Sequence, residues 1–86
     1  MKRYIRAFAT ATILTAESDE YYCNVEVSGK TYTVSVCPRY SDGMCGFPIR
    51  ETRYTDESKA IRTFRRYVKE FDLVENKESY YYTHKF

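Results

Sequence analysis

Between Tyr21 and Cys37 apolar and polar side chains alternate in two runs that flank Ser28-Gly29-Lys30. A period of two marks strands, and the short turn between them marks a hairpin. Tyr21, Cys23, Val25 and Val27 point one way. Tyr32, Val34 and Val36 share that side whether the two-residue turn is Ser28-Gly29 or Gly29-Lys30. Tyr22, Asn24, Glu26, Thr31, Thr33, Ser35 and Cys37 then look outward, giving a half-buried antiparallel pair with Cys23 and Cys37 on opposite faces. The period changes from about Asp56 to Asp72. At about 100° per residue, Ala60, Ile61, Phe64, Tyr67, Val68 and Phe71 gather into one apolar arc, and Lys59, Arg62, Arg65, Arg66 and Lys69 gather nearly opposite. Thr55 is placed to cap this helix, with Asp56 and Glu57 at the positive end of its dipole.

The remaining segments carry weaker patterns. Residues 3–14 fit a strand with Ile5, Ala7, Ala9, Ala11 and Ile13 on one side, while Ile5, Phe8, Ala9, Thr12 and Ile13 also fit helical spacing. Strand is preferred, because threonine and isoleucine suit a pleated surface and an alanine-lined face complements the bulky Phe64, Tyr67 and Phe71. Pro38 to Pro48 reads as a loop, with turn chemistry at Asp42-Gly43 and Gly46. Its Tyr40, Met44 and Phe47 are expected to fold back over the core as a lid; the alternative is that they are binding contacts. A short strand follows from Ile49 to Tyr54. Beyond the helix, Asn76 and Lys77 form a polar connection to a final strand over 78–86. The fold class is α+β: one domain over residues 1–86, an antiparallel sheet of about four to five strands in the order β-β-β-(β)-α-β, with one amphipathic helix over about 56–72 packed on one face.

Size limits what this fold can hold. The chain has 86 residues, and a domain of that length buries about 60–65% of its unfolded surface. Its large apolar side chains are needed for packing, which leaves little room for an enclosed ligand pocket. A net charge of +2 and a pI near 8.4 suit neither a strongly basic nucleic-acid protein nor an acidic mimic of nucleic acid. Charge is polarised instead, with Glu17, Asp19, Glu20 and Glu26 early and most Arg and Lys between Arg50 and Lys69. Three cysteines do not make a disulfide framework. The Lys2, Arg3, Arg6 cluster ahead of Ala7 to Ala16 imitates a signal peptide, but threonines dilute the apolar run and Leu14 is too large for the residue three before a cut at Ala16. No stretch reaches the ~20 apolar residues that span a bilayer. A soluble, cytoplasmic protein is expected, without membrane association.

The basic helix face is the clearest functional signal. Surface helices usually mix signs, each complementary pair four residues apart contributing about 0.2–0.5 kcal/mol. Here Arg62 faces Arg66 and Arg65 faces Lys69, so both pairs repel, and only Arg66 with Glu70 is complementary. Such a face either covers apolar surface with its arginine stems or meets phosphates and carboxylates, which guanidinium groups bind bidentately. Tyrosine is the second signal, with ten in the chain and no tryptophan. Tyr4, Phe8 and Tyr22 turn outward in the expected strands, and Tyr80, Tyr81 and Tyr82 cannot all face the core. An aromatic patch on the open sheet face would suit an interface or stacking with single-stranded bases. Because the helix covers one sheet face and the tyrosines the other, the two patches are expected to be separate.

Catalytic signals are weak. The one histidine, His84, sits close to the last residue, Phe86, where a catalytic base would be poorly held. Cys23, Cys37, Cys45 and His84 make a formal zinc set, but no close cysteine pair is present and the hairpin sends two of them to opposite faces. Buried or incidental thiols are the simpler reading, and the glycines form no phosphate loop. No enzyme activity, metal or cofactor is expected.

The order strand, strand, strand, helix with an acidic helix start resembles the three-stranded DNA-binding arms of integrases. The resemblance covers Tyr21 to Val68 in layout and carries no residue-level motif. In size the chain is also similar to the small proteins that phages and mobile elements direct against host defence, anti-CRISPR proteins among them, and that likeness implies a protein that blocks a nucleic-acid-handling effector by contact. The expected function is a non-enzymatic binding module that occupies a macromolecular partner's surface. Lys59, Arg62, Arg65, Arg66 and Lys69 would meet an acidic protein, while Tyr4, Tyr22, Tyr80 and Tyr82 would give desolvated contacts or a homodimer. The alternative is direct DNA or RNA binding through the same helix.

Overall fold

The computed structural model describes residues 11–40 and 44–77. They form β1 (Ala11–Glu17), β2 (Tyr21–Ser28), β3 (Thr31–Pro38), β4 (Arg50–Tyr54), helix α1 (Glu57–Glu70) and β5 (Val74–Glu75). The strands make one antiparallel sheet in the order β4-β3-β2-β1-β5, and α1 packs on one face of it. This is the α+β architecture expected from the alternating and helical periods. The proposed strand positions 3–10 and 78–86 lie outside the described residues, as do Tyr4, Phe8, Tyr80, Tyr81, Tyr82 and His84.

The β2–β3 hairpin has the register that its alternation dictates. Ser28 opposes Thr31, so the turn is Gly29-Lys30. Only glycine takes the left-handed φ of +63° there without cost. Cys23, Val25, Val34 and Val36 are fully buried, with Tyr21, Val27 and Tyr32 packed around them. One outward residue departs from expectation. Ser35 is only 8% exposed, because it stands between Asn24 and Glu51 on the neighbouring strands, and its hydroxyl donates to Asn24 Oδ1 at 2.8 Å.

Strand β1 differs more. Strict alternation puts Ile13 with Ala11 on the core side and Leu14 opposite. The pairing with β2 instead shifts between Thr12 and Leu14, and this β-bulge lets Ile13 and Leu14 both enter the core, followed by Ala16. The strand therefore runs past Leu14 to Glu17.

Helix α1 begins one residue later than its expected cap. Asp56, not Thr55, is the N-cap, its carboxylate accepting from the Ser58 backbone N–H at 2.9 Å. Ala60, Ile61, Phe64 and Tyr67 are buried as the apolar arc requires, and Thr63 joins them. The C-terminus closes with Asp72 N–H donating to the Lys69 carbonyl and Leu73 N–H to the Val68 carbonyl. That pair of hydrogen bonds is a Schellman cap, which needs a left-handed residue. Asp72 supplies it at φ 57°. Leu73 then drops into the core, 7% exposed, and β5 pairs with Ala16 and Glu17 of β1. α1 thus carries the chain from one sheet edge across the face to the other.

The loop between β3 and β4 is tied by an Arg39–Cys45 bridge and by Tyr40 N–H to the Met44 carbonyl, Gly46 N–H to the Pro38 carbonyl and Ile49 N–H to the Val36 carbonyl. Gly46 lets the Tyr40 phenol pack close to the backbone, and a Cβ there would push that exposed ring aside. The expected lid does not form: Tyr40 is 57%, Met44 63% and Phe47 91% exposed. With the core already sealed by α1, the loop's backbone bonds hold these side chains away from it. Among the described residues no helix is long and apolar enough to cross a membrane.

Candidate binding surface

Lys59, Arg62, Arg65, Arg66 and Lys69 are all exposed on the outer side of α1. The inner arc fixes their direction, because the side chains that hold the helix to the sheet leave the opposite side no choice but water. The one complementary pair expected on this face does not form. Glu70 instead accepts from Arg50 of β4 at 3.0 Å, and the Arg50 guanidinium lies 5.4 Å from the Phe71 ring centroid. The cation–π contact and the charge together hold Arg50 across the end of the helix and withdraw its acid from Arg66. Among the described residues, Lys59, Arg62, Arg66 and Lys69 form no ion pair with a carboxylate. Arg66 lies 5.4 Å from the ring centroid of its neighbour Tyr67.

A shallow open depression runs between α1 and the end of β4, lined by Tyr54, Lys59, Arg62, Thr63 and Arg66. At its floor the Tyr54 hydroxyl and Thr63 Oγ1 are 2.7 Å apart and hydrogen-bonded. Three cations around two hydroxyl groups can receive an oxyanion from a partner while the hydroxyls rotate to donate. Sequence reading did not single out Tyr54 or Thr63. The period of two places Thr52 and Tyr54 together on the helix side of β4, and Thr63 sits one turn from Lys59 and beside Arg62, so the signal was present but was carried by polar residues that an apolar arc omits. Thr52 makes the companion contact, its hydroxyl 3.2 Å from the Tyr67 phenol.

Tyr22 lies on the other sheet face, half-buried, and is not brought together with the basic residues. Burial pushes its phenol up, partly offset by its hydrogen bond with Asn24. It borders an open groove with Glu17, Asp19, Arg39 and Glu75, where Arg39 donates to Glu17 at 3.1 Å and to the Ser18 carbonyl at 2.9 Å. This end is acidic where the helix face is basic. The thiols are dispersed, with Cys23 buried beneath the helix, Cys37 on the outer face and Cys45 exposed in the loop. Among the described residues no three His, Cys, Asp or Glu side chains converge as a metal site. No protein-family model matches the chain, and no curated protein or solved structure matches it.

Proposed function

We propose that the protein is a non-enzymatic binding module whose outer helix face, Lys59, Arg62, Arg66 and Lys69 with Arg65 among them, docks on an acidic surface of a protein partner. The carrying observation is that Glu70 is held by Arg50 and not by Arg66, while Lys59, Arg62 and Lys69 form no ion pair with a carboxylate among the described residues. Like-charge neighbours at Arg62 and Arg66 cost stability, and an anionic counterpart removes that cost on binding. Tyr54 and Thr63 would orient a carboxylate arriving between Lys59 and Arg62. Occupying the surface of a nucleic-acid-handling defence complex, the role implied by the likeness to anti-CRISPR proteins, would use this same face.

Charge reversal tests the reading. Arg62→Glu with Arg66→Glu should leave thermal unfolding within about 0.5 kcal/mol of the parent, as exposed substitutions do. The same variant should lose the partner complex recovered by affinity pulldown. A variant that unfolds shows that the stripe serves packing, and one that binds as before removes the helix from the interface. Direct nucleic-acid binding is separated by fluorescence polarisation with DNA and RNA at two salt concentrations. It requires log affinity to fall with log salt at about −0.9 per phosphate neutralised on duplex DNA. No binding at low salt is the expected result.

A further inference from the structure

The outer edge of β4 carries no further strand among the described residues, and its five residues, Arg50-Glu51-Thr52-Arg53-Tyr54, read as their own complement. We propose that this edge pairs antiparallel with the same edge of a second copy, about a two-fold axis at Thr52. Exposed edges are templates for such pairing, and charged residues ordinarily blunt them. Here the charges select the partner. In the register centred on Thr52, Glu51 of each copy stands opposite Arg53 of the other on the outer sheet face, and Arg50 stands opposite the Tyr54 ring on the helix side. Moving the axis by half a residue opposes Arg50 to Arg53 or sets the charges against Thr52 and Tyr54. Moving it by a full residue opposes Glu51 to Glu51 or Arg53 to Arg53. Of these registers, only the one centred on Thr52 joins opposite signs twice.

Glu51 and Arg53 are available for it. They are exposed, and the contact between them within one chain is a long 3.8 Å, which two cross-strand pairs can replace. The helices do not obstruct the seam. α1 lies chiefly over β2 and β3, so strand spacing alone sets the two helix axes about 20 Å apart across the axis. The basic flanks, Lys59, Arg62 and Arg66 of each copy, then face one another across a cleft floored by the joined strands. The pairing is independent of the helix reading, since those three residues lie outside the strand.

Sedimentation velocity of the full chain, from micromolar to submillimolar concentration, tests the proposal. A reversible monomer–dimer equilibrium is expected. Glu51→Arg alone and Arg53→Glu alone, each setting like charges opposite twice, should weaken it about tenfold. Glu51→Arg combined with Arg53→Glu should restore it. Thermal unfolding of each variant separates a weakened dimer from a weakened fold. A chain that stays monomeric throughout, a dimer indifferent to the single reversals, or a double variant as weak as the singles overturns the proposal.

Discussion

Cys23 is buried between the sheet and α1, and burial pushes its thiol from the ordinary 9.0 up to about 12. Well below pH 9 the group is protonated in both folded and unfolded chains and adds no pH dependence. Between 9.0 and about 12 only the unfolded chain ionises, so stability falls as pH rises through that window. Replacing Cys23 by alanine should therefore lower the melting temperature at neutral pH, by leaving a cavity, yet flatten its decline at alkaline pH. Melting curves of the two chains across the window check this, and parallel declines would contradict it. Cys37 and Tyr22 are also raised by burial and act equally in both chains. At this scale the sequence conveys sidedness better than depth. Alternation identifies the sides of Cys23 and Cys37, but Ser35 is buried and Phe47 exposed because of neighbours on other strands and hydrogen bonds far along the chain.

The helix is the element whose ends most reward inspection. Its apolar and basic arcs follow from spacing alone, as does the covered sheet face. Its caps do not, because Thr55 and Asp56 are both good capping residues and only backbone geometry chooses between them. Asp56→Ala should cost about 1 kcal/mol, and Thr55→Ala much less, in urea unfolding. The other end is less conventional. Asp72 holds a left-handed φ of 57° where glycine is usual, and it places a carboxylate at the negative end of the dipole. Asp72→Gly should raise stability by up to about 1 kcal/mol, the relief of backbone strain and charge exceeding the added freedom of the unfolded chain. An unchanged or lower midpoint would show that the Asp72 side chain has a stabilising contact. The absent glycine is also why periodicity carries the helix to residue 72 while the last helical residue is Glu70.

For the whole molecule, the order of strands in sequence was readable and their order in space was not. Hairpin spacing makes β2 and β3 neighbours, and the short β1–β2 connection adds the next, but nothing local says that the chain after α1 returns beside β1. The bulge at Ile13 is equally silent, since it appears only when two strands are aligned. The basic face was legible because all its members share one helix. The depression beside it was not, because Tyr54 and Thr63 meet only after β4 and α1 pack. β5 itself is two residues long and joins Ala16 and Glu17 across nearly the whole intervening chain. Contacts so distant pay the greatest loop-closure cost and form late, whereas the β2–β3 hairpin closes locally. The expected order of assembly is therefore that the hairpin leads, the helix settles on it, and the β1–β5 seam latches last. Pulsed hydrogen exchange during refolding should protect Val25 and Val34 amides before those of Val74 and Glu75. Run in reverse, the same latch is the expected first point of opening among the described elements.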